Sequence, residues 1–185
     1  MEQLSYSYRC AVIVDLANKL RSEGSWCGET HLQKSIYILQ DLMRANFGYK
    51  FVIYKHGPFS FDLKNEIAAL LASKLLELKF PREGYGPSIV ATNFGERVLE
   101  LHREGIEKFS KMNEFIARWF SKNDVKYLEK VATAYFVASK HPREPLDILA
   151  QRINSMKPHV DIEAALEALK IVGEKRGEAQ RAVAA

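Results

Sequence analysis

Residues 29–92 constrain this chain more than any other stretch. They run THLQKSIYILQ, then FGYKFVIYKHGPFSFDLKNEIAALLASKLLEL, then a Gly/Pro-rich loop and SIVATN. In the first segment Leu32, Ile36, Leu39 and Met43 recur at helical spacing, which predicts an amphipathic helix with Thr30 as its N-cap and Gly48 closing it. Residues 49–54 (YKFVIY) are β-branched and aromatic, and too few for a helix of their own, so they predict a strand. Gly57-Pro58 reads as turn punctuation. Ser60 then caps a third helix that buries Phe61, Leu63, Ile67, Leu70 and Leu71. LLELKF and SIVAT flank PREGYGP and predict a hairpin with a long, mobile tip. Helix, strand, turn, helix and hairpin follow one another in the order of a winged helix.

The flanking segments are helical in pattern. Ile13, Leu16, Ala17 and Leu20 predict one buried face on a helix over 8–21, ended by Gly24. After Thr92 or Asn93, Phe94, Val98, Leu101, Phe109, Met112, Ile116 and Trp119 recur near heptad spacing, with Gly105 marking a kink or a break. The stripe ending in Trp119 and Phe120 fits either an exposed seam for another subunit or packing within the chain. Three more helices follow, capped at Asn123, opened by Pro145 and capped at Asp161. From Gly173 the chain becomes polar and small, and is expected to fray. The expected class is therefore mainly α (α+β). A winged-helix-like unit with three short strands spans residues 1–92. A C-terminal helical bundle over 93–173 shares its core, and 174–185 form a frayed tail.

Composition narrows the chemistry. The net charge of +4 is mild, from 27 Lys+Arg against 23 Asp+Glu, and neither half is a basic block. Cys10 and Cys27, the only cysteines, have no matching His cluster, so no metal or cofactor is expected. MEQLSYSYRC has no basic region leading into an apolar run, and no apolar stretch approaches the ~20 residues of a membrane span, so no membrane partner is expected. A cytoplasmic protein is the expectation. There is no nucleophile–base pair at readable spacing, and hence no catalytic residue to nominate.

Around residues 31–40 (HLQKSIYILQ) and 54–76 (YKHGPFSFDLKNEIAALLASKLL) the chain resembles the YwgA-like proteins and the related SocA-like antitoxin, or Panacea, domains. The positions that carry the resemblance are Leu32, Gln33, Lys34, Tyr37 and Gln40, then Gly57, Pro58, Phe59 and Ser60. Thr92 and Gly95 also fit, as does the stretch 157–169. The resemblance implies a non-enzymatic module, in some relatives an antitoxin or adaptor domain.

Two function classes follow. In the first, another protein, such as a toxin or a regulatory target, binds a surface made of Trp26, His31, Gln33, Lys34, Lys55 and His56. The bland reading of the same polar run is a solvated helix face. In the second, the chain is a DNA-binding transcriptional regulator. Nucleic acid would then meet Lys64 and Asn65 on the third helix and Lys79 and Arg82 on the wing. Asp62 and Glu66, four residues apart on that helix, oppose it by repelling phosphate.

Overall fold

A computed structural model describes residues 3–80 and 86–184. Among them are eight helices and two small antiparallel sheets, so the fold is mainly helical. Helix α1 (Tyr6–Ser22) lies at its centre. Every residue from Cys10 to Ala17 is buried, so the helix is enclosed on all sides, where a single buried face was expected. A helix sheathed by neighbours no longer needs a polar stripe. Its one interior carboxylate, Asp15, is held by Lys19 Nζ at 2.9 Å, Asn113 Nδ2 at 2.8 Å and Ser110 Oγ at 3.1 Å. The bonds from Asn113 and Ser110 fasten α1 to α5 (Glu107–Phe120).

Helix α2 (Glu29–Leu42) starts after Gly28 as N-cap, leaving Thr30 inside the first turn. It also stops well short of Gly48. The expected strand is shorter, β1 (Val52–Tyr54), and its partner is β2 (Gly57–Phe59). The register pairs Val52 with Phe59, Ile53 with Pro58 and Tyr54 with Gly57. The turn is therefore Lys55-His56, and Gly57-Pro58 belongs to a strand. Pro58 is tolerated because both strands of this pair are edges. Gly57 has φ +82°, and a Cβ there would sit 2.8 Å from Thr133 Oγ1. Four strands thus replace the three expected, split between two separate sheets.

Ser60 caps α3 (Phe61–Ala72), accepting from Leu63 N. Leu63, Ile67 and Leu70 go inward, but Phe61 is 54% exposed. The second hairpin pairs β3 (Leu76–Lys79) with β4 (Ser88–Ala91). Most of its tip, including Arg82, lies outside the described residues. Thr92 caps α4 (Asn93–His102), accepting from Phe94 N and Gly95 N. At Gly105 the chain breaks into two helices, and the ring of Tyr8 occupies the space where a Cβ would stand, 2.4 Å away. Phe94 and Leu101 are exposed, whereas Met112, Ile116, Trp119 and Phe120 are buried within the chain. Within the heptad-like stripe, Val98 and Phe109 are partly buried against the core, and the seam is fully internal from Met112 onward.

Helix α6 (Val125–Lys140) is capped by Asp124, one residue later than expected, because Asn123 donates instead to Trp119 O. Helices α7 (Leu146–Met156) and α8 (Ile162–Ala184) complete the chain, with Asp161 capping α8 through Ala164 N. The segment expected to fray is helical. Ala179 is buried, and the Arg176 guanidinium lies 4.1 Å from the centroid of the Tyr135 ring and 3.7 Å from Asp41. A cation on an aromatic face and an ion pair give this stretch the anchorage that its apolar content lacks. One contiguous apolar cluster draws on α1, α2, α5, α6 and α8. No helix among the described residues is long and apolar enough to cross a membrane.

Candidate functional site

The proposed partner surface comes apart in three dimensions. Gln33 and Lys34 are not on a surface at all, because the first hairpin lies over them. The Gln33 amide is matched to the Ser60 backbone in both directions: Nε2 donates to Ser60 O at 3.0 Å, and Oε1 accepts from Ser60 N at 3.0 Å. Lys34 is 2% exposed and donates from Nζ to Pro58 O at 2.7 Å. Gln40 Nε2 donates to Tyr49 O at 3.1 Å. Gln33, Lys34 and Gln40 thus hold the backbone within the hairpin and on either side of it, whereas Ser35 Oγ and Gln40 Oε1 are buried without a partner. Both the partner-surface and the solvated-face readings of Gln33 and Lys34 are corrected: the two side chains are an interior latch.

A second lysine closes the latch from the other side. Lys157 Nζ donates to Tyr54 O at 2.8 Å and to Lys55 O, and lies 2.9 Å from Glu129 Oε1. Glu129 also meets His56 Nδ1 at 3.2 Å and His159 Nε2 at 3.5 Å. Burial works to raise the Glu129 pKa, but the hydrogen bonds from Lys157 and His56 outweigh it and hold the carboxyl below its ordinary value. Burial brings the Lys34 ammonium down to about 8, assisted by the like charge of Lys157 and opposed by Glu129.

Trp26 and His31 do share a place. They line a groove of about 590 Å³ between the start of α2, α3, the second hairpin and the α5–α6 turn. Its walls are Ile67, Leu71, Leu78, Ile89 and Val125. Trp26 is half-buried, and its Nε1 donates to Gly86 O at 2.8 Å. His31 is 6% exposed, and its Nε2 has no hydrogen-bond partner. Ser121, also buried, lines the same groove with an unpartnered Oγ. Burial lowers the His31 pKa, against a hydrogen bond to the Asn123 backbone that raises it. Exposed Glu29 and Asp124 complete the lining, which includes no lysine or arginine among the described residues. Sequence reading missed Ser121 and Asp124, which no local pattern connects to His31.

Lys55 and His56 sit at the tip of the first hairpin, both exposed. Beside them is an aromatic cluster that includes Phe61, expected from its spacing to be buried. Tyr54 and Phe59 have ring centroids 5.6 Å apart, Phe59 and Phe61 5.1 Å, and Tyr54 and Phe61 5.8 Å. Tyr54 is 47% exposed, and Val52 on the same strand is exposed as well.

The residues proposed to meet DNA are less coherent. Lys64 and Asn65 are exposed on α3, while Lys79 lies 3.2 Å from Glu77 on its own strand. Glu66 is not free to repel phosphate, because Arg9 binds it through Nε and Nη2 at 3.1 and 3.0 Å. Cys10 and Cys27 are buried free thiols, and burial pushes the Cys27 thiol up to about 12. No group of three or more His, Cys, Asp or Glu side chains among the described residues could hold a metal ion. No family model matches the chain, and no curated protein matches its sequence.

Proposed function

We propose that the protein is a non-enzymatic protein–protein interaction module, of the antitoxin or adaptor kind, and that its partner docks on the first hairpin. The observation that carries this reading is the apolar cluster in which exposed Val52, Tyr54 and Phe61 surround the half-buried Phe59, beside Lys55 and His56. Aromatic residues bring large contact area at low entropic cost, and they are enriched at interfaces. The hairpin beneath the cluster is held by Lys34, Gln33 and Lys157, so it presents a preformed surface. The order of helices and hairpins through residue 92 supports a winged-helix-like unit followed by a helical bundle, with β1 paired away from the wing. The resemblance to SocA-like domains points the same way.

The test is capture from the native cell with the purified chain as bait, with and without nuclease, beside a Tyr54→Glu/Phe61→Glu variant. Both side chains are exposed, so the variant should keep its helical circular dichroism. A protein that survives nuclease and is lost on the variant supports the reading. Equal recovery on the variant removes the hairpin as the surface.

The second reading, a DNA-binding regulator, gains from the Arg9–Glu66 pair, which leaves α3 less acidic than its sequence. It expects duplex binding that falls steeply with salt and weakens in Lys64→Glu. No shift of any duplex at low salt rejects it.

A further inference from the structure

We propose that the groove beneath Trp26 binds a small organic cation with an aromatic body, of the size of an arylalkylamine. This site lies apart from the hairpin surface and stands whether or not that surface binds a protein. Three features argue for it. A volume of about 590 Å³ falls in the range of small-molecule pockets, which combine apolar walls with a few polar points. Ile67, Leu71, Leu78 and Ile89 supply the walls.

The charge of the lining selects the ligand. Glu29 and Asp124 are exposed carboxylates, Asp124 caps α6, and no lysine or arginine among the described residues lines the groove. An ammonium group is attracted there, and a carboxylate is repelled. The indole of Trp26 is the aromatic face that binds a cation best.

The third feature is the pair of unpartnered polar atoms. His31 Nε2 and Ser121 Oγ belong to side chains that line the groove, both more than nine-tenths buried. Such atoms cost free energy in a folded chain unless something completes them. A turn of either side chain toward the groove would let an N–H or hydroxyl on the ligand do so.

The experiment is a titration of the full chain followed by heteronuclear NMR at the Trp26 indole N–H and the amides of Gly86 and Ser121. The probes are tryptamine, its neutral analogue tryptophol and the anionic indole-3-acetate. Tryptamine should shift these signals saturably and bind about tenfold more tightly than indole-3-acetate, with tryptophol between them. The Glu29→Gln/Asp124→Asn variant, which keeps a capping side chain at 124, should bind tryptamine and tryptophol alike. Leu78→Arg, an exposed strand position on the groove wall, should block all three. No saturable shift at these signals overturns the proposal, as does equal binding of tryptamine and indole-3-acetate to the unaltered chain.

Discussion

Helix α2 presents two polar regions, and they differ in how their needs are met. At Gln33 and Lys34 the side chains are buried, and the donors and acceptor that face the hairpin are matched, to Ser60 and Pro58. At His31, two residues before Gln33, the side chain is also buried, but Nε2 has no partner and Ser121 Oγ beside the same groove has none. A buried polar group that is satisfied holds a fold together, and one left unsatisfied weakens it. The first region is therefore framework. The second retains polarity at a cost to stability, as binding sites do.

The framework should fail hardest where one charge serves several partners. Glu129 answers Lys157, His56 and His159, and its field reaches Lys34. Glu129→Gln removes the main counter-charge of two buried ammonium groups and should cost about 3 kcal/mol, from the usual penalty for breaking a buried pair. Chemical denaturation measures it; a loss below about 1 kcal/mol would mean that the cluster is solvated and the latch is not one. Gln33→Ala comes next. It orphans the buried Ser60 N–H, while Ser60 O still accepts from Lys64 N at 3.1 Å, and the expected loss is about 2 kcal/mol.

What could be read beforehand were the features whose cause lies within a few residues. Ser60, Thr92 and Asp161 cap their helices, each with its bond to an amide two or three positions on. The break at Gly105 was one of the two outcomes its glycine allowed. The latch was hidden because nothing in QKSIYILQ shows that a hairpin 20 residues later will lie across it. Phe61 continues the apolar spacing of α3 yet faces out, since periodicity places a residue on a helix but does not say where the neighbours stop. The last turns of α8 looked unanchored because Tyr135 and Asp41, which hold Arg176, are remote in sequence. The groove could not be seen for the same reason: His31 and Ser121 come from helices brought together only by the core.

Protonation separates the two regions further. Lys34 has a folded-state pKa of about 8 against an ordinary 10.5. Between those values the unfolded chain holds the proton more tightly, so stability contributed by this group rises with pH across that window. Lys34→Met should abolish that rise. The difference between the two proteins isolates Lys34 across that window, because the buried Cys10, Cys27 and tyrosines 37, 49 and 135, whose pKa values the fold raises, act alike in both. Identical slopes would show that Lys34 is not buried as an ammonium. His31 works at the other end. Its folded pKa is depressed below 6.5, so its contribution falls as pH drops through 6.5 toward the folded value. His31→Leu should flatten that part of the curve, which lies above the range in which Glu129 is protonated in the unfolded chain.

The smallest expected effect is the most discriminating. Ser121 Oγ has no hydrogen bond to lose, so Ser121→Ala should change stability by less than about 0.5 kcal/mol, or raise it slightly. Gln33→Ala, at a site just as buried, should cost several times more. If the two substitutions cost the same, the hydroxyl has a partner in solution, and the contrast between a satisfied framework and an unsatisfied groove disappears. If Ser121→Ala is neutral for stability but weakens tryptamine binding, the hydroxyl serves the ligand, since a group that only supports the fold would show its loss in the denaturation midpoint first.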